Sequence, residues 1–165
     1  MSKPTAASDA ATRVRALLSS HSTMTLASAG AGGPWAAPVF YAERLGDDGS
    51  LRLVFVSSPA SRHALELDAD ARVAAAVHDD ARDWQSIRGV QLAGRARALG
   101  ADESGEARRL YAAKFPVIGD PACAPEPIAR AFEHARWFVL VVERAFLTDN
   151  TVAFGKREEV VYTAP

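Results

Sequence analysis

The residues best suited to bind a ligand follow an apolar strand in the first half of the chain. The run Val54-Phe55-Val56 ends in two hydroxyl residues, Ser57 and Ser58, and the pair Ser58-Pro59 predicts the start of a helix. The first turn of a helix presents N–H groups without intrahelical acceptors, together with the positive end of the helix dipole. Such a turn is a suitable site for an anion, and it is typical of phosphate binding.

Three polar side chains in this predicted first turn favour the same chemistry. They are Ser61, Arg62 and His63. The Arg62 guanidinium can form a two-pronged hydrogen bond with a phosphate, and His63 can add a second donor. Many helices begin with Ser-Pro for capping alone, so these residues are equally consistent with a purely structural role.

The elements that must position these residues are strands arranged as hairpins, with short helices between some of them. Regular alternation of strands with long helices is missing, which argues against a parallel sheet and for an antiparallel barrel with helices packed at its ends. The glycines at 89 and 94 predict a bulge or a close backbone contact. The predicted strands are 23–28, 35–42, 51–57, 72–78, 87–99, 137–145 and 146–154, and the predicted helices are 9–18, 59–67, 102–115 and 125–134.

A succession of short motifs runs from residue 23 to residue 155. It comprises Thr25-Leu26-Ala27-Ser28, the run from Pro34 to Tyr41, Phe55-Val56-Ser57-Ser58, Ser61-Arg62-His63-Ala64, the run from Gly89 to Ala96, and Thr148-Asp149-Asn150 with Phe154-Gly155. In this order and spacing they resemble the pyridoxamine 5′-phosphate oxidase-like proteins, which are FMN-binding split barrels. The resemblance is closest to a small, poorly characterised subgroup. It implies a mainly β fold, a six- to seven-stranded antiparallel split β-barrel with helices packed at its ends.

The resemblance also implies a set of cofactor-binding residues. The strand residues around position 39 would run alongside the isoalloxazine ring through their backbone, and the two strand-end serines would reach the ring edge or the ribityl chain. The residues at the helix start would hold the phosphate. Gln91 is an amide in an apolar strand, where burial would require a polar partner, and it is expected to reach the flavin. The full set is Pro38, Val39, Phe40, Ser57, Ser58, Ser61, Arg62, His63 and Gln91.

A homodimer is the expected assembly. A barrel of this size encloses only its own side chains, so a flavin ring must lie on an outer face. In the family that the chain resembles, the site lies at a dimer interface, which implies that a second copy covers the ring. Trp84 and Trp137 are the candidates for this contact.

The implied function is an FMN-dependent oxidoreductase that acts on a small molecule, with NAD(P)H as a candidate electron donor. No residue stands out as a catalytic acid or base. Residues 156–162 do not match the Trp-containing C-terminal segment of the true vitamin B6 oxidase, so oxidation of pyridoxamine phosphate is not expected. Three alternatives stay open: use of coenzyme F420, a non-catalytic flavin-binding or sensing protein, and a barrel that has lost its cofactor and serves as an interaction module.

Composition narrows the function classes further. The length of 165 residues predicts one domain over 9–165 after a mobile segment 1–8. A net charge of −1 argues against a nucleic-acid partner. No stretch reaches the ~18 to 20 apolar residues that cross a bilayer, so no membrane contact is expected. The single cysteine, Cys123, excludes an internal disulfide, and the expected location is the cytoplasm. The four histidines lack the spacing of metal ligands, so no metal site is expected.

Overall fold

The structure, a computed structural model, describes residues 6–116 and 124–163. Along several strands buried residues alternate with more exposed ones, as expected where one face of a strand points into a core. The side chains are described from Asp9 onward. The helices are α1 (Ala6–Ser20), α2 (Arg62–Ala69), α3 (Ala101–Lys114) and α4 (Glu126–Glu133). The strands are β1 (Thr23–Gly30), β2 (Gly33–Leu45), β3 (Leu51–Ser57), β4 (Arg72–His78), β5 (Arg88–Ala98), β6 (Arg136–Asp149) and β7 (Arg157–Val161).

The seven strands form one antiparallel sheet that closes on itself. Their order is β3-β2-β1-β4-β5-β6-β7, and an additional pairing joins β3 to β6. The first half of β6 pairs with β3, from Ser57↔Arg136 to Leu51↔Val142, whereas its second half pairs with β7. Six strands therefore close the barrel and β7 extends the sheet beyond it. This arrangement confirms the predicted antiparallel split barrel.

A bulge in β6 separates the segment that pairs with β3 from the segment that pairs with β7. The register of β5 with β6 shifts between Ala93↔Arg144 and Gly94↔Val142, which leaves Glu143 without a partner on β5. A Cβ on Gly94 would lie 2.1 Å from the carbonyl oxygen of Val141, so only glycine fits at this approach. The predicted bulge or close contact at Gly94 is confirmed.

Two apolar clusters stabilise the fold, one inside the barrel and one outside it. The interior cluster combines the inward-facing strand residues with Val14, Leu17 and Leu18 of α1 and with residues of α2. The outer cluster lies between α3 and the outer face of β3 and β6. Because α3 covers the wall of the barrel, β3 carries apolar residues on both faces. The buried members of the outer cluster are Ala42, Val54, Ala107, Tyr111, Trp137 and Val139.

Some boundaries differ from the sequence-based predictions. The strand predicted over 146–154 is wrong beyond Asp149, because the Asp149 carboxylate accepts hydrogen bonds from the backbone and hydroxyl of Thr151 and starts a turn. Strand β7 was not predicted. Helix α1 begins at Ala6, while residues 1–5 and Cys123 lie outside the described residues. None of the helices described has the length and apolar character needed to span a bilayer.

Candidate functional site

The barrel is split where β2 separates from β3. Strand β2 pairs with β3 only from Tyr41↔Phe55 to Leu45↔Leu51. Its earlier residues, 33–40, pair with β1 alone, so their other edge is open within the described sheet. The chain leaves β3 at Ser57 and enters α2, which packs against β1 and β2. We call the region between residues 33–40, Ser57 and the first turn of α2 the β2–β3 split.

A cluster of two hydroxyls and one imidazole lies at this split. The Ser57 hydroxyl oxygen is 2.7 Å from Nε2 of His63 and 3.0 Å from the hydroxyl oxygen of Ser61. The Ser61 hydroxyl is 3.2 Å from the same His63 nitrogen and donates to the Ser58 carbonyl at 2.8 Å. We call Ser57, Ser61 and His63 the hydroxyl–imidazole cluster. The structure thus brings together three residues that the sequence placed in one site.

The start of α2 differs from the prediction, and the difference matters for anion binding. Ser58 and Pro59 do not begin the helix, because the Ser61 N–H donates to the Ser58 carbonyl at 3.0 Å and closes a turn that has Pro59 at its second position. Ser61 is the N-cap, yet its hydroxyl makes no capping hydrogen bond and points to the cluster instead. The first-turn N–H groups of α2 therefore have no side-chain cap, and Arg62 is the first helical residue.

The Arg62 guanidinium lies across the mouth of the split. Its Nε donates to Oε1 of Glu66 at 2.8 Å, its Nη2 donates to the Gly33 carbonyl at 3.0 Å, and it lies 4.6 Å from the centre of the Trp35 ring. Glu66 also accepts a 2.6 Å hydrogen bond from Ser28. The hydrogen bonds from Ser28 and Arg62 hold the pKa of the Glu66 carboxyl below its usual range. Arg62 is thus anchored in place while more than a third of its side chain stays exposed.

Burial determines the charge of His63. Only 7% of the residue is exposed, and this burial lowers the pKa of its imidazole, with Glu66 acting weakly in the opposite direction. The imidazole is therefore neutral near pH 7, and it contributes hydrogen bonds rather than positive charge. Any phosphate at the split depends on Arg62 and the α2 N–H groups for electrostatic attraction.

The lowered pKa of His63 predicts a pH dependence of stability. As pH falls below about 6.5, the imidazole takes up a proton in the unfolded chain more readily than in the native protein, so the free energy of unfolding decreases. The decrease levels off once the pH lies below the native pKa. Urea unfolding between pH 7.5 and 5 should show this slope in the wild type and in His78→Gln, whose histidine is exposed. A His63→Gln variant with the same slope would contradict the assignment.

The other predicted site residues lie on the strands around the split. Val39 is buried in the interior cluster, so its backbone alone can face a ligand. Pro38 and Phe40 point outward, and the Phe40 ring packs edge-on against Phe115 at 5.4 Å. These positions are compatible with a ring that lies along β2.

Gln91 contradicts the expectation of a buried amide. It lies exposed on the outer face of β5, where its Oε1 accepts a hydrogen bond from Arg157. The cross-strand row Pro38–Thr25–Ala76–Gln91 places it three strands from Pro38 on the same outer face, roughly 14 Å away. Gln91 and Ser57 line different cavities. The apolar neighbours of Gln91 in the sequence reflect the barrel interior, whereas its own side chain points outward.

Sequence reasoning missed some residues of the site and misplaced another. A cavity of about 460 Å³ beside Ser57 and Ser58 is walled by Phe132 and His134 at the end of α4. None of the α4 residues is buried. The amphipathic pattern of α4 is the signal that could have indicated that Phe132 faces another element. Trp137 was expected at a partner contact, but it is 4% exposed and packs edge-on against Tyr111 at 5.4 Å. Trp84 is exposed, as that expectation requires.

Comparison with known sequences agrees with this fold. The sequence profile of pyridoxamine 5′-phosphate oxidase matches residues 10–149, and the chain belongs to this family. It is 35% identical to the UPF0306 protein YhbP of Salmonella paratyphi A over 123 residues, which are 74% of each chain. That relative belongs to a poorly characterised subgroup, as the sequence motifs indicated.

Solved structures share the fold at lower sequence identity. A heme binding protein from Mycobacterium smegmatis superposes with a TM-score of 0.69 and 23% identity, covering 98% of this chain and 60% of its own. This chain therefore spans less than two thirds of that protein. An FAD-binding protein from Mesorhizobium loti superposes with a TM-score of 0.58 and 18% identity, covering 82% of this chain and 91% of its own. At these identities the likeness establishes the fold alone.

Proposed function

We propose that this protein is an FMN-binding flavoprotein, and that it acts as an oxidoreductase on a small molecule. The observation that carries the proposal is the β2–β3 split. There an uncapped helix start, an anchored arginine and a cluster of hydroxyl groups lie beside an open strand edge. A phosphate, a polyhydroxy chain and a flat ring with polar edges need this combination of donors.

The donor set fits FMN group by group. The first-turn N–H groups of α2 and the Arg62 guanidinium would hold the phosphate. Ser57 and Ser58 would hydrogen-bond the ribityl chain or the ring edge, and the backbone of residues 38–40 would line the ring. The neutral His63 would fix the orientation of the Ser57 and Ser61 hydroxyls through hydrogen bonds at its Nε2. Gln91 lies on the same outer face as Pro38 but three strands away, and it is not assigned to the phosphate.

The cofactor would supply the redox chemistry, and the protein would supply binding, orientation and exclusion of water. No described acid or base is assigned to the reaction. The cavity of about 460 Å³ beside Ser57 and Ser58 offers space for a substrate next to the cofactor, with Phe132 as an apolar wall. Coenzyme F420 in place of FMN, or flavin binding without turnover, would use the same site.

An absorption spectrum of the purified protein tests the cofactor. We expect flavin bands near ~370 and ~450 nm, either as purified or after addition of FMN, because the uncapped helix start and Arg62 form a phosphate site. Quenching of FMN fluorescence gives the affinity. A Soret band would instead indicate heme, as the name of the mycobacterial structural neighbour would suggest. Failure to bind FMN at micromolar concentration would refute the proposal. If FMN binds, its reduction by NADH or NADPH without oxygen would distinguish an oxidoreductase from a protein that only binds the flavin.

We further propose that the protein is a homodimer whose second copy covers the flavin. Large apolar side chains stay exposed in the single chain, and Trp35 and Phe40 border the split at 42% and 46% exposure. A flavin lying there would keep one face in water unless another surface covered it. Light scattering should give a mass of about twice 17.6 kDa. We expect the dimer interface to bury at least ~2,000 Å² in total. A monomer that binds FMN tightly would contradict the shared site.

A further inference from the structure

The outer wall of the barrel from β2 to β5 carries two neighbouring cross-strand rows of residues without a charged side chain. The first row is Pro38–Thr25–Ala76–Gln91. The second row lies two residues further along each strand and is Ala36–Ala27–Ala74–Ala93. Five of these eight residues are alanine, and we call the eight together the alanine face.

No described element covers the alanine face. Its residues are exposed or half-buried in the single chain, whereas the residues between them, such as Leu26, Ala75 and Leu92, belong to the interior cluster. An uncovered face of an antiparallel sheet ordinarily carries polar and charged side chains. Because 24% of the chain is charged, composition alone would place about two charges among eight residues. Their absence is typical of the core of a protein interface.

Charged side chains begin at the margin of the alanine face. Arg95 is the next outward residue of β5 beyond Ala93, and Arg144 of β6 is the cross-strand partner of Ala93. Both arginines are exposed. An uncharged centre inside a charged margin is the composition expected where another protein surface covers the centre and leaves the rim in water.

The two sides of the alanine face differ in shape. On the β5 side the face holds a cavity of about 370 Å³, which Phe146 and Arg157 also line. On the β2 side Phe40 points outward two residues beyond Pro38 and is 46% exposed. A two-fold axis that runs along the strands, level with the β1–β4 pair, would place the β2 side of each copy over the β5 side of the other. The protruding side of one copy then meets the hollow side of the other, so the face complements a second copy of itself.

We propose that two copies of this chain pack with the alanine face of one on the alanine face of the other. The inference rests on the proposed homodimer and names its interface. Small side chains let the two sheets approach closely, as stacked sheets do at a spacing of ~10 Å. Because Pro38 belongs both to the alanine face and to the β2–β3 split, the second copy reaches the edge of the split, where a bound flavin needs a cover.

A charge placed on the alanine face tests the interface. Ala74 is exposed in the single chain, and in a two-fold dimer the Ala74→Arg change puts two unpaired guanidinium groups into the interface. We expect the mass from light scattering at micromolar concentration to fall from twice 17.6 kDa to 17.6 kDa, because a buried charge without a partner is costly. Ala113→Arg is the matched control and should remain a dimer, since Ala113 is an exposed alanine of α3, which covers the wall formed by β3 and β6. An Ala74→Arg variant that remains a dimer would overturn the proposal.

A measurement on the wild type decides the question even if Ala74→Arg fails to fold. NMR of isotope-labelled alanine methyl groups, with a soluble paramagnetic agent added, reports which alanines solvent reaches. We expect the Ala74 methyl resonance to be protected and the Ala113 methyl resonance to be broadened. A dimer in which both resonances broaden equally would overturn this inference and leave the flavin and the homodimer standing, because the interface would lie on another surface. A monomeric wild type would overturn the homodimer and its interface together, while FMN titration tests the cofactor separately.

Discussion

Replacing Arg62 with alanine should weaken FMN binding by about 10- to 150-fold and weaken riboflavin binding far less. The two ligands differ only in the phosphate, and the guanidinium is assigned to that group. Loss of a charge-assisted hydrogen bond to a phosphate costs roughly 1.5 to 3 kcal/mol, which corresponds to this range of affinity. Fluorescence titration of the cofactor-free protein with each ligand measures the difference.

The controls for this variant follow from the other contacts of Arg62. Its ion pair with Glu66 and its contact with Trp35 also support the native structure, so thermal unfolding must be measured in parallel. Arg62→Lys retains the charge but not the two-pronged geometry, and should give an intermediate loss. Arg72→Ala removes an exposed arginine on β4 and should not change either affinity. If Arg62→Ala weakened FMN and riboflavin equally, the role of Arg62 would be structural.

Truncating Phe138 to alanine should produce the largest loss of stability. Phe138 is fully buried and stacks on Phe55, with ring centres 5.2 Å apart and planes 11° from parallel. It also occupies the part of β6 that pairs with both β3 and β5, where the barrel closes. Truncation of a buried phenylalanine costs about 3 to 5 kcal/mol, a large part of the ~5 to 15 kcal/mol that stabilises a typical domain.

Urea unfolding gives this loss of free energy when the m-value, the dependence of the free energy of unfolding on urea concentration, is the same in both proteins. Phe154 supplies a matched control. Phe154 is 72% exposed and contacts Trp84 alone among the aromatic rings of the described residues. Phe154→Ala should therefore change the free energy of unfolding by no more than about 0.5 kcal/mol. Similar losses in both variants would show that closure of β6 against β3 is not central to stability.

Much of the fold was predictable because it depends on local patterns. Strands β3 and β4 follow from the apolar runs over 51–57 and 72–78, and the structure has the same bounds. The bulge at Gly94 follows from the absence of a side chain. Part of the candidate site is local as well: Ser57, Ser61 and His63 lie within seven residues, so a strand end followed by a tight turn suffices to bring them together.

Other features could not be predicted, because they depend on which sheet face another element covers. Strand β7 is rich in charge, and pairing with β6 and an ion pair between Arg144 and Glu159 hold it in place. Alternation shows that Trp137 and Gln91 both point away from the barrel interior, but it does not show their surroundings. Helix α3 covers the wall at Trp137 and buries it, while the described chain leaves the wall at Gln91 open.

The sequence by itself determined strands β1 to β6, the hairpin pattern that predicts an antiparallel barrel, and the polar cluster at the start of α2, since each depends on residues close together along the chain. Only the tertiary structure decided the partners of Arg62 and the cavity walled by α4. Arg62 reaches the Gly33 carbonyl across 29 positions of sequence, and α4 meets the end of β3 across about two and a half times that separation. Such contacts form when the barrel closes, because loop closure brings together residues whose separation no local pattern encodes.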